Sequence, residues 1–240
     1  MKHFLRAAGV RKRFGRKVAL DGISLEIDEP GITVVLGPNG AGKSTLFACL
    51  LGTLRPCEGS LEILGLDPVR DQRRSTQRVG FVPDTPDAPD WMTPAELFRF
   101  LAPHYERWND GVAQRMARDL GLPLDRPMKT LSRGEAAKAM LVAAFAPEPE
   151  LVLLDEPFSG LDPVVRHELL RGFLAEFEGK ERVALVATHD LDVAARLADR
   201  IVVVAGGRVA LHGTVEEVLG EYSPARIPEK LYRVLTEVAA

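Results

Sequence analysis

The apolar run Ile32–Leu36 ends directly in Gly37-Pro38-Asn39-Gly40-Ala41-Gly42-Lys43-Ser44, and no other feature constrains the fold as much. A run apolar on both faces predicts a fully buried strand. The eight residues after it match G-x-x-x-x-G-K-[ST], a glycine-rich loop between a strand and a helix. The glycines let the backbone wrap closely enough to aim N–H groups at phosphate oxygens. Lys43 then reaches the β- and γ-phosphates, and the Ser44 hydroxyl ligates Mg²⁺. A helix predicted over Thr45–Leu51 turns its positive end toward the same phosphates. The strand before and the helix after separate this match from an ordinary glycine-rich turn.

The rest of the chain supplies the matching frame. Leu151–Leu154 and Val183–Ala187 are two further apolar runs, and Ile23, Leu25 and Ile27 alternate with polar residues as in a half-buried strand. Val165, Leu169, Phe173 and Phe177 recur every four residues and make one apolar helical stripe. Buried strands alternating with helices predict a parallel α/β sheet. Pro83, Pro86, Pro89 and Pro94, interleaved with Asp84, Asp87 and Asp90, predict a loop. From Pro94 to Phe145 only helical periodicity is present, carried by Leu97, Phe98 and Leu101, then Val112, Met116 and Leu120. That predicts an all-helical insert, 84–145, in a core made of 1–83 and 146–220. Ile201–Val204, Gly206-Gly207 and Val209–Leu211 predict a hairpin. Leu231, Leu235 and Val238 suggest a short amphipathic helix in a tail over 221–240.

Composition narrows the partners. Lys and Arg number 31 against 34 Asp and Glu, a net charge of −3, which is not the basic excess of a polyanion binder. Two cysteines, Cys49 and Cys57, cannot make a disulfide framework and point to a reducing compartment. Met1–Gly9 lacks the apolar stretch of a signal peptide. The longest uncharged apolar run, Ala139–Pro147, is far short of the roughly 18–20 residues a membrane span requires.

Three more segments carry chemistry. Leu151–Leu154 ends in Asp155-Glu156, a buried strand delivering two acids. Asp155 suits an Mg²⁺ partner, and Glu156 suits a base that takes a proton from an attacking water. In Leu131-Ser132-Arg133-Gly134-Glu135, Ser132 and Glu135 have the spacing of a capping box at a helix start. That start is either a plain cap or a set of N–H donors for a phosphate brought by another subunit. His189 follows the run ending at Ala187 and is either a surface histidine or a γ-phosphate contact.

Taken in order, these motifs resemble the ATP-binding subunit of ABC transporters over residues 1–220. The resemblance rests on Walker A at 37–45, the signature at 131–135, Walker B at 151–156, Ser159-Gly160-Leu161-Asp162 and His189. It implies a P-loop NTPase (RecA-like) core with a mainly parallel sheet, an antiparallel β part at the N-terminus and the helical insert. It implies ATP held by Gly37, Asn39, Gly40, Ala41, Gly42, Lys43, Ser44 and Thr45, with Phe14 stacked on adenine. Mg²⁺ would be held by Ser44, Asp155 and Asp84. Catalysis would fall to Lys43, Glu156 and His189. Ser132 and Gly134 would contact the γ-phosphate of ATP on an opposing ATPase subunit, identical or different. The assembly would drive a separate integral membrane subunit from the cytoplasmic face, and no nucleic acid is expected. Trp91–Leu97 and Tyr105–Trp108 resemble small ATPases of drug and antibiotic export.

The chain departs from the family pattern at Asp84, where Gln is usual, and at Arg133 and Glu135, where Gly and Gln are common. Glu135 would repel an approaching phosphate and Arg133 would offset it. Arg70, Arg73, Arg74 and Arg78 read as a solvated face, and His3, His104, His167 and His212 are too scattered for a metal cluster. The competing readings are a soluble ABC-type ATPase acting on nucleic acid or ribosomes, and a P-loop small-molecule kinase. One P-loop, no sustained heptads and no basic excess count against the first. The signature, which has no task in a kinase, counts against the second.

Overall fold

The computed structural model describes residues 3–219 and Thr236. The helix expected within 221–240 lies outside the described residues. In chain order the strands are β1 (Leu5–Phe14), β2 (Lys17–Ile27), β3 (Gly31–Leu36), β4 (Glu58–Ile63), β5 (Val79–Val82), β6 (Leu151–Asp155), β7 (Val183–Thr188), β8 (Arg200–Ala205) and β9 (Arg208–Thr214). The helices are α1 (Lys43–Leu50), α2 (Gln72–Thr76), α3 (Pro94–Leu101), α4 (Asp110–Asp119), α5 (Arg133–Phe145), α6 (Pro163–Ala175), α7 (Leu191–Leu197) and α8 (Val215–Leu219). Single 3-10 turns cover Ala102–His104 and Met128–Thr130. The chain divides into two units. One runs through Thr76 and resumes at Val183, and the other is Gln77–Arg182. The change to purely helical structure after β5 and the division between units therefore fall at different places in the chain.

In the first unit, β2, β1 and β4 form an antiparallel sheet in that order. Its register sets Leu5 opposite Ile27, Ala7 opposite Leu25 and Val10 opposite Ile23. All six side chains are buried, while Ser24 and Glu26 between them are exposed, so the alternation seals one face. In the second sheet β3 runs parallel to both β7 and β8, with Val34 opposite Val186 on one side and Ile201 on the other. Every residue of β7 is buried, as is β3 from Ile32 to Leu36. Strands covered on both faces have no polar side to alternate with, which accounts for their continuous apolar runs. β8 and β9 are antiparallel and are joined through Gly206 and Gly207, both at positive φ (55° and 76°). Paired positive φ values suit a tight hairpin turn and favour glycine. Cys49 and Cys57 are both free thiols, and burial pushes the Cys49 thiol up to about 11, well away from a reactive thiolate.

In the second unit β5 and β6 are parallel, with Val79 opposite Leu151 and Val82 opposite Leu154. Between Pro94 and Phe145 the regular structure is helical throughout. Capping boxes start α3 (Thr93 with Glu96) and α5 (Ser132 with Glu135), Asn109 caps α4 and Asp162 caps α6. The proline-rich segment after β5 is a loop, and it is tied to the approach to α5. Met128 N–H donates to Met92 O (2.7 Å) and Lys129 N–H to Asp90 O (3.1 Å). α6 ends at Ala175, so Phe177 lies beyond the helix that carries Val165, Leu169 and Phe173. Phe177, half-buried, still packs against the core, with its ring centroid 4.9 Å from that of Phe173 and 6.2 Å from that of Phe145. Among the described residues no helix is long and apolar enough to cross a membrane.

One ionic cluster in this unit is built around a buried carboxylate. Glu176, fully buried at the end of α6, accepts from Arg115 of α4 (2.5 Å), from Lys180 (2.8 Å) and from Arg182 (3.3 Å). Burial pushes its carboxyl up, but the hydrogen bonds from Lys180 and Arg115 outweigh that and hold it below the usual carboxylate range. A carboxyl with a lowered folded-state pKa contributes stability that is present above the ordinary Glu value and lost as pH falls through the lowered one. Glu176→Ala strands the 8 %-exposed Arg182 without its acid, and the expected loss is about 3–5 kcal/mol. Glu176→Gln is expected to flatten the acid limb of the stability profile. Urea melts at a series of pH values between neutral and acid check both.

Candidate functional site

The glycine loop of the first unit is held from two sides by backbone. Gly37 passes so close to β8 that a Cβ there would stand 2.3 Å from Val204 O. At Gly42 a Cβ would stand 2.6 Å from Ala19 O of β2, and its φ of 109° is a second reason for glycine. Gly207 N–H donates to Ala41 O (3.1 Å), and Asp21 N–H donates to Gly207 O (2.8 Å), so the hairpin turn links the loop to β2. Arg208 fixes that turn through a hydrogen bond to Asp21, which with the Arg208 charge holds the Asp21 carboxyl below its usual value. Gly207, Ala19 and Asp21 are support that the sequence reading missed. The Gly206-Gly207 pair signalled a turn, but not that the turn would brace the loop.

The loop leaves its crest open. Asn39 and Gly40 are exposed, and a Cβ on Gly40 (φ 82°) would meet nothing within 4 Å. α1 begins at Lys43, two residues earlier than expected, because Gly42 supplies the left-handed entry to the helix. No side chain caps α1. Among the described residues the other helices of seven or more residues, α3 to α7, all start on a side-chain cap. An uncapped N-terminus behind a glycine-rich turn keeps donors and positive potential for an anion. Lys43 is buried, and its Nζ donates to Gly37 O (2.7 Å) and Pro38 O (3.3 Å), placing the cation over the loop. Ser44 is exposed and Thr45 half-buried in the first turn of α1. This donor set fits a chain of phosphates.

Elsewhere in the first unit, Phe14 ends β1 with 51 % of its surface exposed, so it is not core packing, and Lys12 Nζ lies 5.5 Å from its ring centroid. His189 is exposed between β7 and α7. Its backbone is fixed on both sides. Asp190 N–H donates to Thr188 Oγ1 (3.0 Å), and Asp190 caps α7 through Asp192 N–H (2.9 Å).

In the second unit, Asp155 is buried at the end of β6. Glu156 follows at φ 48°, a left-handed backbone that costs a non-glycine residue about 1–3 kcal/mol and concentrates at working sites. Ser132 is exposed and caps α5, accepting from Glu135 N–H (3.2 Å). Glu135 turns back on the same helix end. Its Oε2 accepts from Ser132 N–H (2.7 Å) and its Oε1 from Arg126 (3.2 Å), and the Ser132 N–H holds its carboxyl below the usual range. Gly134 is buried, and a Cβ there would stand 2.5 Å from Val165 Cγ1, so close approach of α5 to α6 requires glycine. Asp84 is exposed and faces Arg133, with Oδ1 3.7 Å from Nη2. Among the described residues no three His, Cys, Asp or Glu side chains gather as a metal cage. Mg²⁺ bound largely through substrate phosphates needs none.

β3, the glycine loop and α1 define an α/β protein of the P-loop NTPase class. The chain belongs to the ABC transporter family, whose model matches residues 20–159. It is 37 % identical over 225 residues to a sulfate/thiosulfate import ATP-binding protein of Brucella melitensis, covering 89 % of this chain and 62 % of that relative. It is 35 % identical over 226 residues to a daunorubicin resistance ATP-binding protein of Streptomyces coeruleorubidus, covering 91 % of this chain and 71 % of that one. A solved structure described as the ATP binding subunit of an ABC transporter matches with a TM-score of 0.84 at 27 % identity, over 97 % of this chain and 99 % of that chain.

The two loop glycines separate on this geometry. Gly42→Ala meets both strain and the Ala19 carbonyl, and is expected to cost at least about 1–3 kcal/mol in a thermal or urea melt. Gly40→Ala meets strain without a clash. It is expected to cost less stability, yet to weaken binding of a fluorescent ATP analogue by setting a methyl on the open crest.

Proposed function

We propose that the protein is the ATP-hydrolysing subunit of an ABC transport system, cycling between separate and paired states as it binds and hydrolyses ATP. The observation that carries this reading is the uncapped start of α1 behind a glycine loop whose crest is open. Gly37, Asn39, Gly40, Ala41 and Gly42 give backbone to the β- and γ-phosphates, and Thr45 and Ser44 extend the donors into the helix. Phe14 offers a ring face to adenine. Lys43 turns toward phosphate oxygen, where its hydrogen bond is charge-assisted. The Ser44 hydroxyl and the Asp155 carboxylate are the groups that would hold Mg²⁺, and the ion would supply positive charge to offset the negative charge on the phosphates. Glu156 takes a proton from the attacking water, and its strained backbone sets that carboxylate at the end of β6. His189 donates to the γ-phosphate from a backbone fixed by Thr188 and Asp190.

Ser132 and Gly134 serve a second ATPase subunit, so the working unit is a pair, of identical or different chains. The energy passes to a separate integral membrane subunit at the cytoplasmic face of the membrane. Export is the direction we favour, from the resemblance of Trp91–Leu97 and Tyr105–Trp108 to small ATPases of drug and antibiotic export. The sulfate/thiosulfate relative is named for import, so the ATPase and transport steps are supported more broadly than direction. Co-purification from membranes with a multi-span protein, and stimulation of turnover by it, are expected. Recovery on ribosomes instead overturns the transport assignment.

Lys43→Ala is expected to lower ATP turnover at least about tenfold, since a charge-assisted hydrogen bond is worth roughly 1.5–3 kcal/mol. Wild-type turnover in that variant sinks the P-loop assignment. Glu156→Gln keeps the shape but not the proton acceptor, and a fall of about 10²–10⁴ in turnover is expected with ATP binding retained. Size-exclusion chromatography with ATP and Mg²⁺ is expected to trap that variant as a dimer. A monomer at saturating ATP points to a different partner chain.

A further inference from the structure

Asp84 and Arg133 are the two charged departures from the resembled pattern that lie face to face, with Arg133 Nη2 3.7 Å from Asp84 Oδ1. Arg133 is the first residue of α5, where a cation meets the positive end of the helix. Glu135, the acid in the same turn, is occupied by Ser132 N–H and Arg126. Asp84 is therefore the carboxylate that balances Arg133. The guanidinium also lies against the loop after β6. A Cβ on Gly160 (φ 66°) would stand 2.7 Å from Arg133 Nη1 and 3.1 Å from its Cζ. One arginine thus joins the loop after β5, the start of α5 and the loop after β6. The loop that carries Asp84 is already joined to the approach to α5 by the backbone bonds at Asp90 and Met92. Those bonds do not respond to charge. The Asp84–Arg133 pair is half-exposed at both ends, 53 % and 51 %, so salt and substitution reach it.

We infer that Asp84 is a positioning residue: through Arg133 it holds the first turn of α5, with Ser132 and Gly134, against the loop at Gly160. This rests on the proposed function, in which that turn meets a phosphate of ATP on a second subunit. Asp84 then acts through an arginine and not on a metal ion. The usual Gln and Gly at these two places form no ion pair, so the two departures are one coupled change.

The test compares Asp84→Asn, Arg133→Gln, the double variant and the charge-exchanged Asp84→Arg/Arg133→Asp protein. Amide hydrogen exchange over Leu131–Glu135 is read first, on the full chain without nucleotide. Each single variant is expected to speed exchange there by up to about fivefold, as for an exposed ion pair. The double variant is expected to match the singles and not multiply them. The charge-exchanged protein is expected to recover part of the protection, and roughly 1 M NaCl to bring wild type toward the singles. Steady-state ATPase supplies the readout that loosened packing alone does not give. Turnover falls in both singles with the KM for ATP held, and charge exchange restores it. Additive effects in the double variant overturn the inference. So does an Asp84→Asn variant that leaves exchange untouched and shifts the Mg²⁺ dependence of ATP binding. Absence of ATPase activity in wild type overturns the proposed function instead, and the exchange series still decides whether the pair holds the turn.

Discussion

Close approach of backbone to backbone around the glycine loop is the constraint on which the rest of the first unit depends. Val204 O, Ala19 O and the Gly207 turn crowd Gly37, Ala41 and Gly42 from two strands. A loop pressed in this way has no room for Cβ atoms where it enters and leaves, and an open face at its crest. Its shape is therefore set before any phosphate arrives, which is the condition under which backbone donors bind without paying for reorganisation. The buried parallel strands supply the rigidity. β3 is paired with β7 from Gly31 to Leu36 and with β8 from Thr33 to Leu36, so the chain leaves Leu36 from a strand held on both sides.

The second unit is organised by buried charges, each paired with a partner, some of which reach the surface. Glu176 gathers Arg115, Lys180 and Arg182, and so ties α4 to the end of α6 and to the approach to β7. Lys138 of α5, buried, meets Glu168 of α6 at 2.6 Å. Gly134 lets the same two helices touch at Val165. α5 is consequently held by α6 at Gly134 and Lys138, and packing brings its first turn to the place where Arg133 meets Asp84. Polar contacts at that turn adjust a placement that apolar contacts have already made.

Strands were the most legible elements, because continuous apolar runs and strict alternation are different patterns with different causes. β3, β6 and β7 form where their runs predict them, and the β8–β9 hairpin turns on the predicted glycines. The helical character of the segment after the proline-rich loop was equally readable from its period. Local chemistry was less so. α1 starts early because of the conformation of Gly42, and α6 stops before Phe177 although the four-residue spacing continues. The candidate site was legible as motifs but not as contacts. Nothing local in the sequence marks Gly207 as a brace, Gly134 as a packing contact, or Asp84 as the partner of an arginine in another motif. Each depends on residues far apart in the chain, and periodicity carries no information about such pairs.

Two helix starts, α1 and α5, show how one physical device is set to different strengths. α1 keeps its N-terminal donors uncommitted by any side-chain cap, with Lys43 buried beside them. α5 commits donors at both ends of a capping box, and Glu135 adds a carboxylate to the same turn. A negative charge there lowers the potential that an incoming anion feels. Arg126 and Arg133 return positive charge, but from half-exposed positions where screening is strong. On the proposed function the two ends therefore do different work. The α1 end binds ATP tightly enough to hold it alone, and the α5 end engages a phosphate only when a second subunit brings it close. A weaker second contact is what a reversible pairing cycle requires, since an α5 start as open as that of α1 would hold the paired state after hydrolysis.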